Sequence, residues 1–418
     1  MSGRTIDNAI FDPKTYANEE AYHTLFTKLR RESPVRWTEP EGVRPFWTIA
    51  KHADILEVEK QNDRFLNDPR LTMATIEAEE QVKQFTGGSH HLLRSLVDMD
   101  NPDHRAYRGL TQAWFMPSNL KTLEARVDAL AREYVDRMEK LGGECDFVTD
   151  VAVWYPLRVI MTVLGVPPGD EAFMLKLTQE IFGASDPDMQ RGGDVTALNN
   201  TITDFFNYFT AMTADRRKNP KDDVATVIAN ATIDGKPIGE LEAMSYYIIV
   251  ATAGHDTTSS TTAGGLLALL QNPDEFAKLR ANPGLLPSAI DEMIRWVTPV
   301  KHFFRTAAED YELRGQKIKA GDNLLMCYWS GNRDEDVFED PFSFRIERTP
   351  NKHVAFGYGA HVCLGQHLAK MEIRALYREL LNRLDHVELA GAPAWVEANF
   401  VSGLKRLPIR YRMRPLAA

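Results

Sequence analysis

The sequence predicts a mainly α protein with a smaller β portion, and three features carry that expectation. Helical periodicity dominates from Pro102 onward. One helical pattern runs over 238–270, longer than the common globular range. Strand-like alternation is confined to short runs near the N-terminus and beyond position 300.

Alternation in Val35–Arg36–Trp37–Thr38 and in Phe46–Trp47–Thr48–Ile49 predicts an early strand pair, followed by a helix over 53–61. The stretch 71–93 has weak periodicity, a Gly87–Gly88 break and the pair His90–His91, so it reads as a mobile excursion rather than a core element. Pro102 suits a first helical turn. The amphipathic pattern over 120–138 is interrupted at Gly142–Gly143. The apolar run 151–164, closed by Gly165 and Pro167–Pro168, predicts a buried helix. The middle of the 238–270 pattern contains Ala253–Gly254–His255–Asp256–Thr257–Thr258. Glycine is a poor helix former, and hydroxyls compete for backbone carbonyls. A long central helix with a local distortion follows. A helix over 286–296 comes next, then short strands near 303–306, 311–313 and 323–327. A glycine-punctuated loop, a last helix over 364–384 and an edge strand over 407–411 complete the order.

The 418 residues are 44% hydrophobic and 26% charged, and no Ser/Gly-rich or Pro-rich spacer interrupts them, so one continuous unit is expected. Lys and Arg number 49 against 59 Asp and Glu, a net charge of −10 that argues against sequence-independent nucleic-acid binding. Three widely spaced cysteines, Cys145, Cys327 and Cys363, argue against a disulfide framework or a cysteine-based zinc site and fit a reducing cytoplasm. The polar segment 1–12 lacks a signal-peptide pattern, and the longest apolar stretch, around 244–254, is far short of the ~20 residues that cross a bilayer. A soluble cytoplasmic protein without a membrane partner is expected.

The strongest chemical signal is Phe356–Gly357–Tyr358–Gly359–Ala360–His361–Val362–Cys363–Leu364–Gly365. Glycines allow a tight loop that approaches a flat ligand closely. Cys363 then stands at the start of a helix, where backbone N–H groups favour a thiolate, a good axial ligand for ferric heme. An isolated cysteine is more often a small buried hydrophobe; the ten-residue pattern reverses that balance.

With this loop the chain resembles the cytochrome P450 family, whose cysteine-thiolate heme ligation is well known. Further motifs in the family's order extend the likeness over nearly the whole chain. Glu292–Met293–Ile294–Arg295 resembles the family's Glu-x-x-Arg pair, and Arg348 falls where its meander arginine should. Each could be a plain ion pair; the resemblance implies a structural network beside the heme. Ala253–Gly254–His255–Asp256–Thr257 resembles the central-helix motif, implying that Thr257 orients oxygen and water over the heme while Asp256 relays protons. His104, Arg108, Arg305 and His361 match the usual propionate contacts, and Phe356 the start of the cysteine loop. His353 and His255 stay outside the ligand roles. The implied whole is a single domain over 1–418 in the cytochrome P450 fold, a triangular helical body with heme b buried between a long central helix and the cysteine loop. Its β-rich parts fall at approximately 34–50, 303–327 and 386–413.

The implied activity is a monooxygenase that inserts one atom of O2 into a small hydrophobic substrate. Ala253, Val297, Val300, Phe303 and the Phe400–Val401 turn are candidate pocket residues, and 71–93 the candidate cover. The stretches Pro299–Val300–Lys301, Arg314–Gly315–Gln316 and Asn399–Phe400–Val401 are similar to the bacterial terpene hydroxylases of the family. They imply a monoterpenoid or alkyl-aromatic substrate, with sterol or fatty-acid hydroxylation as the competing alternative. A peroxide-driven hydroxylase would not need Asp256–Thr257, and a non-catalytic heme sensor would need neither that pair nor a channel. No flavin or iron–sulfur signature is present, so electrons are expected from a separate ferredoxin and its NAD(P)H-dependent reductase. Arg105, Arg108 and Lys352 are candidate docking residues, and the chain is expected to be a monomer.

Overall fold

A computed structural model describes residues 3–182 and 195–414. Helix dominates it, with β-structure gathered into one five-stranded sheet, a three-stranded sheet and smaller pairs. The alternating segments Val35–Thr38 and Phe46–Ile49 pair antiparallel, Val35 opposite Ile49. Asn323–Cys327 joins the second of these in parallel, and His302–Ala307 and Phe65–Leu66 complete the sheet. Tyr311–Leu313 folds back on Gln316–Ile318, a strand absent from the sequence reading. Its turn, Arg314–Gly315, has positive φ at both residues (49° and 76°), the twist that suits a two-residue hairpin.

The tail strand corrects an expectation. Pro408–Met413 is the middle strand of its sheet, with Leu384–Leu389 on one side and Glu144–Asp146 on the other. Its covering partner lies more than 250 residues away in sequence, where three residues, Glu144, Cys145 and Asp146, carry too short an alternation to register as a strand. The 71–93 stretch contains a regular helix, Ile76–Thr86, capped by the Thr75 hydroxyl and closed by Gly87 in the left-handed region. None of its side chains is buried, and Phe85 is 64% exposed. A helix lying on the surface needs no apolar stripe, which is why periodicity missed it. Ion pairs from Arg44 and Arg70 to Glu79 hold its first turns.

The central helical pattern divides into Glu240–Ala253 and Asp256–Gln271, with Gly254 and His255 between them. Hydroxyls bond back one turn on the second helix: Thr257 to the Ala253 carbonyl (3.0 Å), Thr261 to Thr257 (2.9 Å) and Thr262 to Thr258 (2.7 Å). Gly254 faces the Ile160 side chain, which leaves no room for a Cβ. The buried helix Trp154–Leu164 thus packs tightly against the break, its end fixed by left-handed Gly165. Gly265 lets the Met293 side chain and Tyr377 hydroxyl approach, and Tyr377 donates to the Thr262 carbonyl at 2.7 Å. These contacts lock the central helix to Leu286–Val297 and to Gln366–Arg383. No helix of the described residues is long and apolar enough to cross a membrane.

Candidate active site

The helix break at 254–255 and the glycine loop before Gln366 line one cavity, which encloses about 1520 Å³ including its open mouth. The break contributes Ala253, Gly254 and Thr257; the loop contributes Phe356, Gly357, His361 and Cys363. In the loop, Gly357 and Gly359 have φ of 67° and 72°, and a Cβ on Gly359 would lie 2.2 Å from the Glu59 carbonyl oxygen. Glycine there is a steric requirement of the close loop–helix approach.

Cys363 precedes the last helix, which begins at Gln366 rather than at Leu364. Its backbone N–H donates to the Phe356 carbonyl at 2.9 Å and closes the loop. Burial pushes its thiol pKa up, while the N–H groups of Gly365 and Gln366 and the Arg108 guanidinium pull it down. Two backbone donors and the nearby Arg108 charge therefore already favour a thiolate here, as binding to a metal cation needs.

Cationic and imidazole groups meet in another part of the cavity. Arg108 donates to the Val362 carbonyl at 2.7 Å. Arg305 donates to the Phe304 carbonyl (2.7 Å) and to Glu59 (2.9 Å). His104 and His361 stack with ring centroids 3.8 Å apart. Burial and the neighbouring arginines lower the His104 pKa to about 4 and the His361 pKa to about 2. Asn67 donates to His361 Nδ1 at 3.2 Å, which leaves the proton on Nε2. His104 Nε2 is buried without a protein partner. An arrangement of two arginines and two hydrogen-bonding imidazoles, one of them orphaned, suits a dianionic ligand edge. A thiol with two backbone donors and a guanidinium charge beside it, a glycine-lined approach and this donor cluster fit heme b, with its iron and two propionates.

The remaining wall is apolar: Leu96, Phe115, Ile249, Val250, Val300 and Phe303 line it. Val297 does not. It fills the space in front of Gly264, because its side of the 286–297 helix turns toward the central helix instead. Val401 is also elsewhere, buried and bridged to Val300, with its side chain outside the lining. Of the stretch 71–93 only Leu71 lines the cavity, since the 76–86 helix stands out on the surface.

Asp256 is absent from the lining. Its Oδ1 lies 3.2 Å from His255 Nδ1, and its Oδ2 is buried without a hydrogen bond. Glu292, Arg295 and Arg348 form a separate buried cluster. Arg295 grips both Glu292 oxygens at 2.7 and 2.8 Å, and Arg348 adds contacts at 3.1 and 3.2 Å.

Sequence reasoning missed several lining groups. Glu59 is buried, takes hydrogen bonds from Arg305 and the Tyr328 hydroxyl, and has its pKa raised by burial despite the arginine. Glu372 is buried with both carboxylate oxygens unbonded, and burial raises its pKa strongly. Tyr246 presents its ring while its hydroxyl is tied to Thr111 and the Tyr107 carbonyl. A carboxylate inside a helical pattern carries no local mark of burial, so Glu59 and Glu372 had no sequence signal.

Comparison with known proteins gives one consistent result. The family model described as cytochrome P450 matches residues 22–393. The chain is 45% identical to "Cytochrome P450-terp" of a Pseudomonas species, over 97% of each protein. It is 33% identical to linalool 8-monooxygenase of Pseudomonas putida, over 95% of this chain and 97% of that one. The crystal structure of CYP108D1 from Novosphingobium aromaticivorans superposes with a TM-score of 0.92 at 45% identity, covering 98% of this chain and 99% of the other.

Proposed function

Because this chain belongs to the cytochrome P450 family, and is a heme b-dependent monooxygenase, we propose that it hydroxylates a monoterpenoid or an alkyl-aromatic of similar size, with electrons from a separate ferredoxin and its NAD(P)H-dependent reductase. The apolar wall formed by Leu96, Ile249, Val250, Val300 and Phe303 carries this reading. The likeness to two proteins named for terpenoids supports it. Arg105 and Lys352 are exposed near the cysteine loop and offer cationic contacts to an acidic electron donor.

In the proposed arrangement Cys363 holds the iron, and Arg108, Arg305, His104 and His361 hold the propionates. When bound, heme supplies the iron at which O2 is activated. The overall reaction takes substrate, O2, two electrons and two protons to hydroxylated product and water. The protons are the protein's part of the problem. Thr257 donates its own hydrogen to the Ala253 carbonyl, so its oxygen lone pairs are free to accept from a water in the cavity. Asp256, one residue earlier, connects that position to the protein interior behind the break. The apolar wall keeps bulk water from the reacting carbon and orients the substrate by shape.

Thr257→Ala should consume NAD(P)H at a similar rate but yield product per NAD(P)H lower on the order of tenfold, with peroxide making up the difference. Unchanged coupling would remove Thr257 from the role. Substrate class is tested by titrating the ferric protein with terpenoids, alkylbenzenes, sterols and fatty acids and reading the spin-state shift of the heme. A monoterpenoid or alkylbenzene should give the largest shift at the lowest concentration. A sterol or fatty acid doing so would overturn the assignment.

A further inference from the structure

We propose that His255 is a positioning residue for proton delivery: it shares one proton with Asp256, and this buried pair is the proton store behind Thr257. The inference rests on the relay reading of Asp256 and extends it to a residue that touches neither cavity nor cofactor.

His255 is fully buried. Its Nε2 lies 2.8 Å from the Val153 carbonyl oxygen, which can only accept, so Nε2 carries a proton. Its Nδ1 faces two oxygens, Asp256 Oδ1 at 3.2 Å and Thr178 Oγ1 at 3.4 Å. The Thr178 hydroxyl donates to the Leu175 carbonyl at 2.9 Å, the shorter contact, so its hydrogen is committed there. A bare Nδ1 lone pair against a carboxylate oxygen and a hydroxyl oxygen would be repulsive in a buried site. One further proton must therefore lie between Nδ1 and Oδ1, as imidazolium with carboxylate or as imidazole with carboxylic acid.

The groups facing the ring are thus the Val153 carbonyl ahead of the Trp154–Leu164 helix, the Thr178 hydroxyl on Glu171–Phe182 and the Asp256 carboxyl on its own chain. His255 stands at the helix break, with Thr257 two residues on. The second Asp256 oxygen, buried and without a protein partner, is free to pass a proton to a water that serves the Thr257 hydroxyl. As Asp256 gives up the proton, Nδ1 surrenders its share, and the pair is refilled from the Asp256 side, since the His255 side chain is fully buried. Without His255, no proton-bearing side chain would face Asp256 Oδ1.

The test measures product per NADH against pH, with surrogate ferredoxin and reductase, for the wild type, His255→Gln and Asp256→Asn. Glutamine can still donate to the Val153 carbonyl but cannot hold the shared proton. His255→Gln should be lower on the order of tenfold at pH 7, and the gap to the wild type should change across the pH series. Parallel wild-type and His255→Gln profiles, with Asp256→Asn impaired, would overturn the His255 role alone. Unimpaired Asp256→Asn would overturn the relay reading itself. Should His255→Gln not fold, side-chain 15N resonances of the ferrous, carbon monoxide-bound wild type decide the matter. The His255 Nδ1 resonance should shift in Asp256→Asn, and an unmoved resonance would overturn the shared proton.

Discussion

Cys363→Ser is expected to abolish the thiolate-type spectrum of the reduced, carbon monoxide-bound protein and to lower substrate turnover by more than about a thousandfold. The hydroxyl of serine is far less acidic than a thiol, and the two backbone donors and the Arg108 charge beside Cys363 cannot make an alkoxide of it. The fold should survive, because what closes the loop is backbone: the 363 N–H to the Phe356 carbonyl and the positive φ of Gly357 and Gly359. Arg108, Arg305, His104 and His361 are also untouched, so heme should still enter the cavity. The measurement is therefore a pair. Circular dichroism and heme content should stay close to wild type, while the carbon monoxide difference spectrum changes class. A retained thiolate-type spectrum would remove Cys363 from the iron.

What could be read in advance follows from how locally each feature is encoded. The loop at 356–365 is legible because its glycines and its cysteine sit within ten residues and each answers to backbone geometry at that spot. The helix break was legible as a distortion for the same reason, since Gly254 and the hydroxyl cluster oppose helix directly. The location of Asp256 was not. Adjacent residues on a helix point about 100° apart, so the pairing of Asp256 with Thr257 in sequence could not reveal that one faces His255 and the other the cavity. Val297 and Val401 failed as pocket residues on similar grounds: apolar character marks burial, and burial does not say against what. A tail strand over 407–411 is legible in the sequence, but its central place in the sheet depends on the pairing with Glu144–Asp146, which only the tertiary fold brings near. Glu59 and Glu372 were invisible because a buried carboxylate reads as a surface one until its neighbours are known.

The second large effect is expected at Glu292, which lies outside the cavity. It is fully buried and receives Arg295 through both oxygens, Arg348 through Nε, the Arg345 N–H at 2.9 Å and the Asn351 amide at 3.1 Å. Arg295 in turn reaches the carbonyls of Asn332 (2.8 Å) and Pro341 (3.0 Å), so the pair ties the 286–297 helix to the segment 332–343. Burial alone would raise the Glu292 pKa, but the hydrogen bonds and charges of the arginines outweigh it and hold the value below 4.5. Removing one partner of a buried ion pair costs about 3–5 kcal/mol, because the other charge is left behind. The two truncations should differ. Arg295→Ala leaves Glu292 with Arg348, Asn351 and a backbone N–H, which places it at the lower end. Glu292→Ala leaves Arg295 and Arg348 without their carboxylate, beside buried Arg333, which already donates to the Arg295 carbonyl. It should reach the upper end or fail to fold. The pH dependence separates charge from shape. Since the folded pKa is depressed, the carboxylate's contribution is complete above about 4.5 and is lost as pH falls through the lower folded value. Denaturant unfolding between pH 7 and pH 3 should show that loss in the wild type and a flatter profile in Glu292→Gln. An equally steep profile in the glutamine variant would mean that the acid sensitivity arises at other carboxylates.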